Sequence, residues 1–167
     1  MDKLLAVLGI LVSVAFLITI DSYFRQDRQL EKARTCVRNM SSDLGEWLSI
    51  AGKMLAGNCG DDLFREYSDL LREIEKNSTY KTMFRKVPAI NRIREILMDT
   101  VDKNVDNTAF QVLREDLAYY ALRLDYKRTE YNKCVLKLQK TSSSMVGRFA
   151  SGLFHLPKLI ILHDLEV

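Results

Sequence analysis

The order of apolar and polar residues divides the chain into one uninterrupted apolar run and a series of helical stripes. Residues 4–20 read LLAVLGILVSVAFLITI, and the only polar side chains in this run are Ser13 and Thr19. At about 1.5 Å per residue, a helix of this length lies at the lower end of those that cross a bilayer. We therefore predict a transmembrane anchor over residues 1–20. The residues placed in the membrane include Leu4, Ile10, Phe16 and Ile20.

A cleaved signal peptide is the alternative interpretation of this run, because Ser13 and Ala15 offer small residues before a cut. The run is longer than the core of about 7–15 residues in such peptides, and cleavage after Ala15 leaves an apolar stub, so a retained anchor is favoured. Basic residues flank the run unequally. Lys3 precedes it, whereas Arg25, Arg28, Lys32, Arg34 and Arg38 follow. The positive-inside rule then predicts that the C-terminal domain lies in the cytoplasm.

Beyond residue 21, apolar residues recur at steps of three and four, which indicates amphipathic helices. The first stripe runs from Leu30 to Met54 in heptad register and ends at a turn over residues 57–62, GNCGDD. The last begins at Asn107 or Thr108 and continues to Leu138.

Two shorter helices are predicted between these long ones. One carries Phe64, Tyr67 and Ile74 on one face and weakens at residues 77–79, and the other has Pro88 in its first turn. Residues 79–87 either extend the former helix or form a linker. The chain is thus predicted to be all-α, with an antiparallel four-helix-bundle-like domain over residues 21–144 and long first and last helices. The apolar seams are buried within one chain or paired between chains, so a homo-oligomer is an open alternative.

Composition narrows the possible functions without naming one. Of 167 residues, only seven are Gly and two are Pro, which disfavours turn-rich β folds, and a net charge of +3 does not indicate a nucleic-acid partner. His155 and His163 lie outside any metal-binding motif, and no glycine pattern suggests a phosphate loop. We therefore expect no enzyme activity, no cofactor and no metal. Four tyrosines are expected in the core with their hydroxyls at its rim, namely Tyr119, Tyr120, Tyr126 and Tyr131.

Residues 145–167 form a predicted apolar and basic C-terminal tail. No Asp or Glu occurs between Tyr131 and Leu162, so this part of the chain is locally cationic. The tail either folds back over the bundle, which is favoured, or rests on an anionic membrane surface. The candidate lipid-surface contacts are Lys133, Lys137, Lys140 and Arg148.

The stretch from Asp106 to Lys158 resembles the C-terminal half of LemA-family proteins. That family has an Asn-x-x-Phe element, a Leu- and Glu-rich stretch, a Tyr-Asn pair and a terminal Gly-Leu-Phe motif. The matching positions are Asn107, Phe110, Leu113, Tyr131, Asn132, Val135, Gly152, Leu153 and Phe154. The N-terminal apolar run, followed by Tyr23 and basic residues, is also similar. The family's proline after Asp43-Leu44 and its Phe-Pro pair before the terminal motif are absent.

The resemblance implies a single-pass protein of the bacterial inner membrane with a helical-bundle domain and no established catalytic role. It marks Tyr131 and Asn132 as a candidate interface, although Asn132 alternatively bonds a neighbouring helix backbone. We expect a membrane-anchored interaction or scaffold protein whose partners are membrane lipid and an unknown protein. The alternative is a sensor that binds a small ligand between its helices, with Tyr126, Tyr131 and Asn132 as lining. A membrane-associated hydrolase is the third and weakest class.

Overall fold

The computed structural model describes residues 2–76, 83–103 and 108–162. Within these ranges it contains five α-helices and no strand, so the all-α prediction is confirmed. The helices are α1 (Asp2–Leu55), α2 (Asp61–Lys76), α3 (Met83–Lys103), α4 (Thr108–Ser143) and α5 (Met145–Leu153).

The N-terminal part of α1 is long and apolar enough to cross a membrane, with a mean hydropathy of 2.6 over its most apolar window. Leu4, Ile10 and Phe16 are exposed, whereas Ile20 is half-buried. Exposed apolar side chains along several helical turns are the surface that a bilayer covers and water does not.

Contacts divide the chain into two compact units. We call Met1–Ala33 with Asn132–Ile161 the anchor unit, and Arg34–Tyr131 with Leu162–Val167 the bundle unit. These units are defined by contacts between residues, whereas the domain boundaries at residues 20 and 144 were predicted from hydropathy. Those boundaries stay a prediction.

The bundle unit has an apolar core. The heptad stripe of α1 is buried at every predicted position within this unit, from Val37 to Met54. The periodicity therefore identified the inner face of α1 correctly. The largest fully buried apolar side chains are Met40, Trp47, Met54, Leu55, Ile90, Ile93, Leu97 and Leu124.

A short turn joins α1 to α2, where the sequence predicted it. Gly57 adopts a φ of +79°, a left-handed conformation that glycine reaches without a steric penalty. In the second turn of α2, the Tyr67 hydroxyl donates to the carbonyl of Leu48 near the end of α1, at 2.8 Å. Helices joined by a short turn and bonded at these positions run antiparallel.

The beginning of α3 corrects one prediction. This helix begins at Met83, so Pro88 lies inside it rather than in its first turn. Proline lacks an N–H and crowds the carbonyl four residues earlier, and about one turn of the described part of α3 precedes Pro88, so few backbone bonds there are affected. Residues 83–87 belong to α3, and residues 79–82 lie outside the described part.

Ion pairs connect helices of the bundle unit. Arg92 of α3 approaches Glu66 of α2 at 2.6 Å, and its guanidinium lowers the pKa of that exposed carboxyl. Arg123 of α4 approaches Asp43 of α1 at 2.8 Å, where the aspartate is almost fully buried.

Candidate functional site

A cationic groove of about 390 Å³ lies between α1 and α4 in the anchor unit. Five of its seven lining residues are basic and none is acidic. We call this set the cationic groove. It consists of Arg25, Arg28, Gln29, Lys32, Lys137, Lys140 and Thr141.

Helical spacing explains why these side chains converge. Arg25, Arg28 and Lys32 are separated by steps of three and four, and so are Lys137 and Lys140 from each other. Residues at such steps share one face of a helix. Each helix therefore presents a basic face to the groove.

Most charge in the groove is not neutralised by the protein. Arg25 pairs with Asp21 at 2.8 Å, and both side chains are exposed. Among the residues that the structure describes, no ion pair involves the side chains of Arg28, Lys32, Lys137 or Lys140. Closely spaced cations of this kind attract a polyvalent anion such as a phosphate group.

The amide of Gln26 holds the surrounding helices together. Gln26 is fully buried, its Nε2 donates to the Gly147 carbonyl at 3.2 Å, and its Oε1 accepts from the hydroxyls of Ser142 at 3.3 Å and Ser151 at 2.6 Å. A further Nε2 contact reaches Ser22 Oγ at 3.4 Å. Both donors and both acceptor sites of the amide are thus used. We call Gln26, Ser142, Gly147 and Ser151 the Gln26 cluster.

The junction from α4 to α5 requires a glycine. Ser144 caps α5, because its hydroxyl accepts from the Gly147 N–H at 3.0 Å. A Cβ on Gly147 would lie 1.9 Å from the Thr141 carbonyl oxygen, a distance that no side chain tolerates. The absence of a side chain therefore allows α5 to fold closely against the end of α4.

The predicted tail contains a helix and packs on α1. Besides the Gln26 cluster, the rings of Tyr23 and Phe154 lie 4.2 Å apart between centroids. His155, just beyond the C-cap of α5, adopts a left-handed conformation with φ of 51°, and the Leu156 N–H donates back to the Ser151 carbonyl.

The groove contains half of the predicted lipid contacts. Lys137 and Lys140 line it, whereas Lys133 and Arg148 are exposed and outside its lining. Arg148 instead donates from Nε to the Ser143 carbonyl at 3.1 Å. Sequence reasoning used Arg25, Arg28 and Lys32 only to predict topology, although their spacing on α1 already indicated a basic face.

The candidate interface pair divides by burial. Tyr131 is only 6% exposed, and burial raises the pKa of its phenol to about 12. Asn132 is half-buried. Burial favours packing for Tyr131, and the predicted interface role of the pair stays a prediction.

The tyrosine prediction was partly wrong. Tyr131 is in the core, but Tyr119 and Tyr126 are 55% and 61% exposed. Their rings instead contact cations along α4, where Arg123 lies over Tyr119 and Lys127 over Tyr126. A cation over the face of a ring is attracted to it, and this contact stabilises the aromatic side chain at the surface.

A second groove, of about 460 Å³, lies in the bundle unit between α1, α2 and α3. It is mostly apolar and includes Tyr67, Glu75 and the nearly buried Lys86, whose pKa is lowered by burial. Tyr126, Tyr131 and Asn132 are not among its lining residues, and their predicted role as ligand lining stays a prediction. The remaining lining residues are Ser41, Leu44, Gly45, Leu48, Ser49, Leu71 and Ile74.

Metal-ligand residues do not cluster in the part of the chain that the structure describes. His155 is exposed, and His163 lies outside the described residues. Comparison with family models, with curated proteins and with solved structures gives no match to this chain.

Proposed function

We propose that this chain is a membrane-anchored helical interaction or scaffold protein of the LemA type, without catalytic activity. One observation carries the proposal: the exposed apolar run and the buried heptad stripe belong to the same uninterrupted helix, α1. The proposed anchor is therefore joined to the heptad stripe through the chain of α1 itself, with no separate linker between them. The proposed location is the bacterial inner membrane, with the bundle unit on the cytoplasmic side.

An exposed row on α4 supports the interaction role. Val112, Tyr119 and Tyr126 are at heptad spacing, Leu122 lies beside them, and all four are more than half exposed. Heptad rows of large apolar and aromatic side chains are typical of surfaces that pack against another helix. The row therefore offers a contact face for a protein partner or for a second copy of this chain.

Photo-crosslinking in cells tests the interaction role. We expect benzoyl-phenylalanine at Tyr126 to form defined adducts, either with a second copy or with a particular protein. The same group at Arg114, exposed on a different face of α4, is the matched control. Equal, diffuse labelling from both positions would contradict an interaction surface on this row.

Cysteine labelling in a bacterial host tests the location. Cys59 is a poor reporter, because its thiol is half-buried, donates to the Leu55 carbonyl and has a raised pKa. Gly60 is exposed and nothing crowds its Cα, so Gly60→Cys in a cysteine-free background is the better probe. We expect a membrane-impermeant maleimide to react only after permeabilisation. Reaction in intact cells would reverse the proposed orientation.

The alternative function is a sensor that binds a small ligand between helices. The second groove favours it, because an apolar lining with a nearly buried cation, Lys86, suits an apolar ligand bearing one anionic group. We expect Lys86→Met to abolish binding of such a ligand, for example a medium-chain carboxylate, while Lys53→Met on the exposed end of α1 leaves it unchanged. Isothermal titration of the whole protein measures both, and equal affinities would exclude this role.

A further inference from the structure

One face of α5 is apolar and exposed. Met145, Phe149 and Leu153 follow one another at steps of four and are 90%, 65% and 52% exposed, whereas Gly147 and Ala150 on the other face are buried. A short amphipathic helix with such a row is suited to lie in the boundary between headgroups and acyl chains.

The attachment of α5 to α1 places it at the right depth. Tyr23 contacts Phe154, and Gln26 bonds Gly147, so α5 meets α1 directly after the apolar run. At about 1.5 Å per residue, positions 23–26 lie roughly 5–9 Å beyond Ile20 along the helix axis. The headgroup layer of a bilayer occupies this distance from the hydrocarbon core.

The cationic groove begins at the same level and continues outward. Arg25, Arg28 and Lys32 are about 8, 12 and 18 Å beyond Ile20 on the same scale. Lys137 and Lys140 complete the opposite wall. Lipid phosphates therefore fall beside the nearer end of the groove, and the farther cations lie within or close to a Debye length of about 8–10 Å from them.

We propose that the cationic groove binds the phosphate of an anionic phospholipid while the exposed row of α5 contacts the acyl chains. The inference rests on the proposed membrane anchoring, and it adds a ligand and a second attachment to the bilayer. Gly147 and the Gln26 cluster fix α5 beside the groove. The phosphate contact and the acyl-chain contact therefore belong to one surface of the anchor unit. A soluble phosphate compound carries the same anionic group as the lipid, so the experiment must distinguish these two ligands.

Native mass spectrometry of the full chain in a non-ionic detergent tests the proposal. The probes are short-chain phosphatidylglycerol, phosphatidylcholine of equal chain length, and inorganic pyrophosphate as competitor. The groove variant is Lys137→Gln with Lys140→Gln. The matched control is Lys133→Gln with Arg148→Gln, which removes equal charge outside the groove lining. A third variant, Phe149→Ser, alters the exposed row without touching the core.

We expect the native chain and the control to retain phosphatidylglycerol in preference to phosphatidylcholine. The groove variant should bind it about thirtyfold more weakly, from the loss of two phosphate contacts, and Phe149→Ser a few-fold more weakly. Equal weakening in the groove variant and the control would overturn the proposal in favour of a general charge effect. Binding of pyrophosphate without phosphatidylglycerol would overturn the lipid assignment, and binding of neither would overturn the site.

This assay separates the site from the proposed function. It is carried out in detergent, so its result does not depend on the side of the membrane or on a protein partner. The maleimide and crosslinking experiments test those features without reference to the groove.

Discussion

The interiors of the two units differ in the interactions that stabilise them. In the bundle unit, large apolar side chains such as Trp47, Met54 and Ile93 are fully buried. The anchor unit also buries apolar side chains, among them Leu30 and Val135, and adds the fully buried amide of Gln26, whose partners include two hydroxyls and a backbone carbonyl. Apolar burial therefore contributes to both units, and the anchor unit has in addition a small, directional set of hydrogen bonds.

The difference reflects what each unit leaves exposed. The anchor unit exposes most of its apolar run along Leu4–Ile18 and the residues Met145 and Phe149 of α5, whereas it buries Leu30 and Val135. Its interior combines these buried apolar side chains with small residues and one satisfied amide, which join the helices closely. Hydrogen bonds are suited to fixing one arrangement of closely packed helices, because an alternative arrangement would leave a buried polar group without its partner, and this costs free energy.

The largest expected effect is that of Gly147→Ala. Its Cβ would meet the Thr141 carbonyl at 1.9 Å, so α5 must separate from the end of α4. We expect the anchor unit to lose about 3 kcal/mol or more, with faster amide exchange in α5 than in the bundle unit. Hydrogen exchange by mass spectrometry reads both units in one sample.

A matched glycine on the same helix is the control. Nothing lies within 4 Å of a Cβ on Gly152, so Gly152→Ala should stabilise α5 by about 0.5–1 kcal/mol. Similar destabilisation by both alanines would show that the close contact at Gly147 is not what holds α5.

Gln26→Leu tests the amide itself. The substitution keeps a side chain of similar size but removes the amide, so the Ser142 and Ser151 hydroxyls and the Gly147 carbonyl lose their buried partner. We expect a loss of about 1–3 kcal/mol in thermal unfolding, confined to the anchor unit. Gln139→Leu, at an exposed position of α4, should change stability little. An increase in stability for Gln26→Leu would mean that apolar packing at this position stabilises the anchor unit more than the hydrogen bonds of the amide do.

Tyr67→Phe tests the converse in the bundle unit. The lost bond to the Leu48 carbonyl should cost about 1 kcal/mol, because apolar packing of the ring persists. A Cβ on Gly52 would lie 2.9 Å from the Tyr67 hydroxyl oxygen, so Gly52→Ala should be better tolerated in combination with Tyr67→Phe than alone. A double-mutant cycle measured by urea unfolding gives the coupling, and additive effects would contradict a direct contact.

The sequence was sufficient for the bundle unit because apolar periodicity records burial. The heptad stripe of α1 and the start of α4 at Thr108 were predicted at the positions that the structure shows, and the predicted turn over residues 57–62 is present but ends earlier, because α2 begins at Asp61. The beginning of α3 was missed, since a proline inside a helix resembles one at its start.

The anchor unit was harder to predict for a physical reason. Gln26, Ser142 and Ser151 are polar residues, and hydropathy assigns such residues to the surface, although here each is covered or half-covered. Only tertiary contacts show that one amide satisfies them all. For the groove, the basic residues of each helix were visible, but their convergence across more than a hundred residues of sequence was not.

At neutral pH the last effect is zero, and it separates the units only when the tyrosines are titrated at high pH. Burial raises the pKa of Tyr131 to about 12 and also raises that of Tyr67, from an ordinary value of 10.0. A raised folded-state pKa means that the full stabilisation is present below pH 10 and is lost as the pH rises toward 12, because the unfolded chain releases its proton first.

The Gln26 cluster contains no titratable side chain. We therefore expect tyrosinate absorbance to show a step near pH 12 that Tyr131→Phe removes, and amide exchange between pH 10 and 12 to increase more in the bundle unit. A step already complete at pH 10 would contradict the burial of Tyr131.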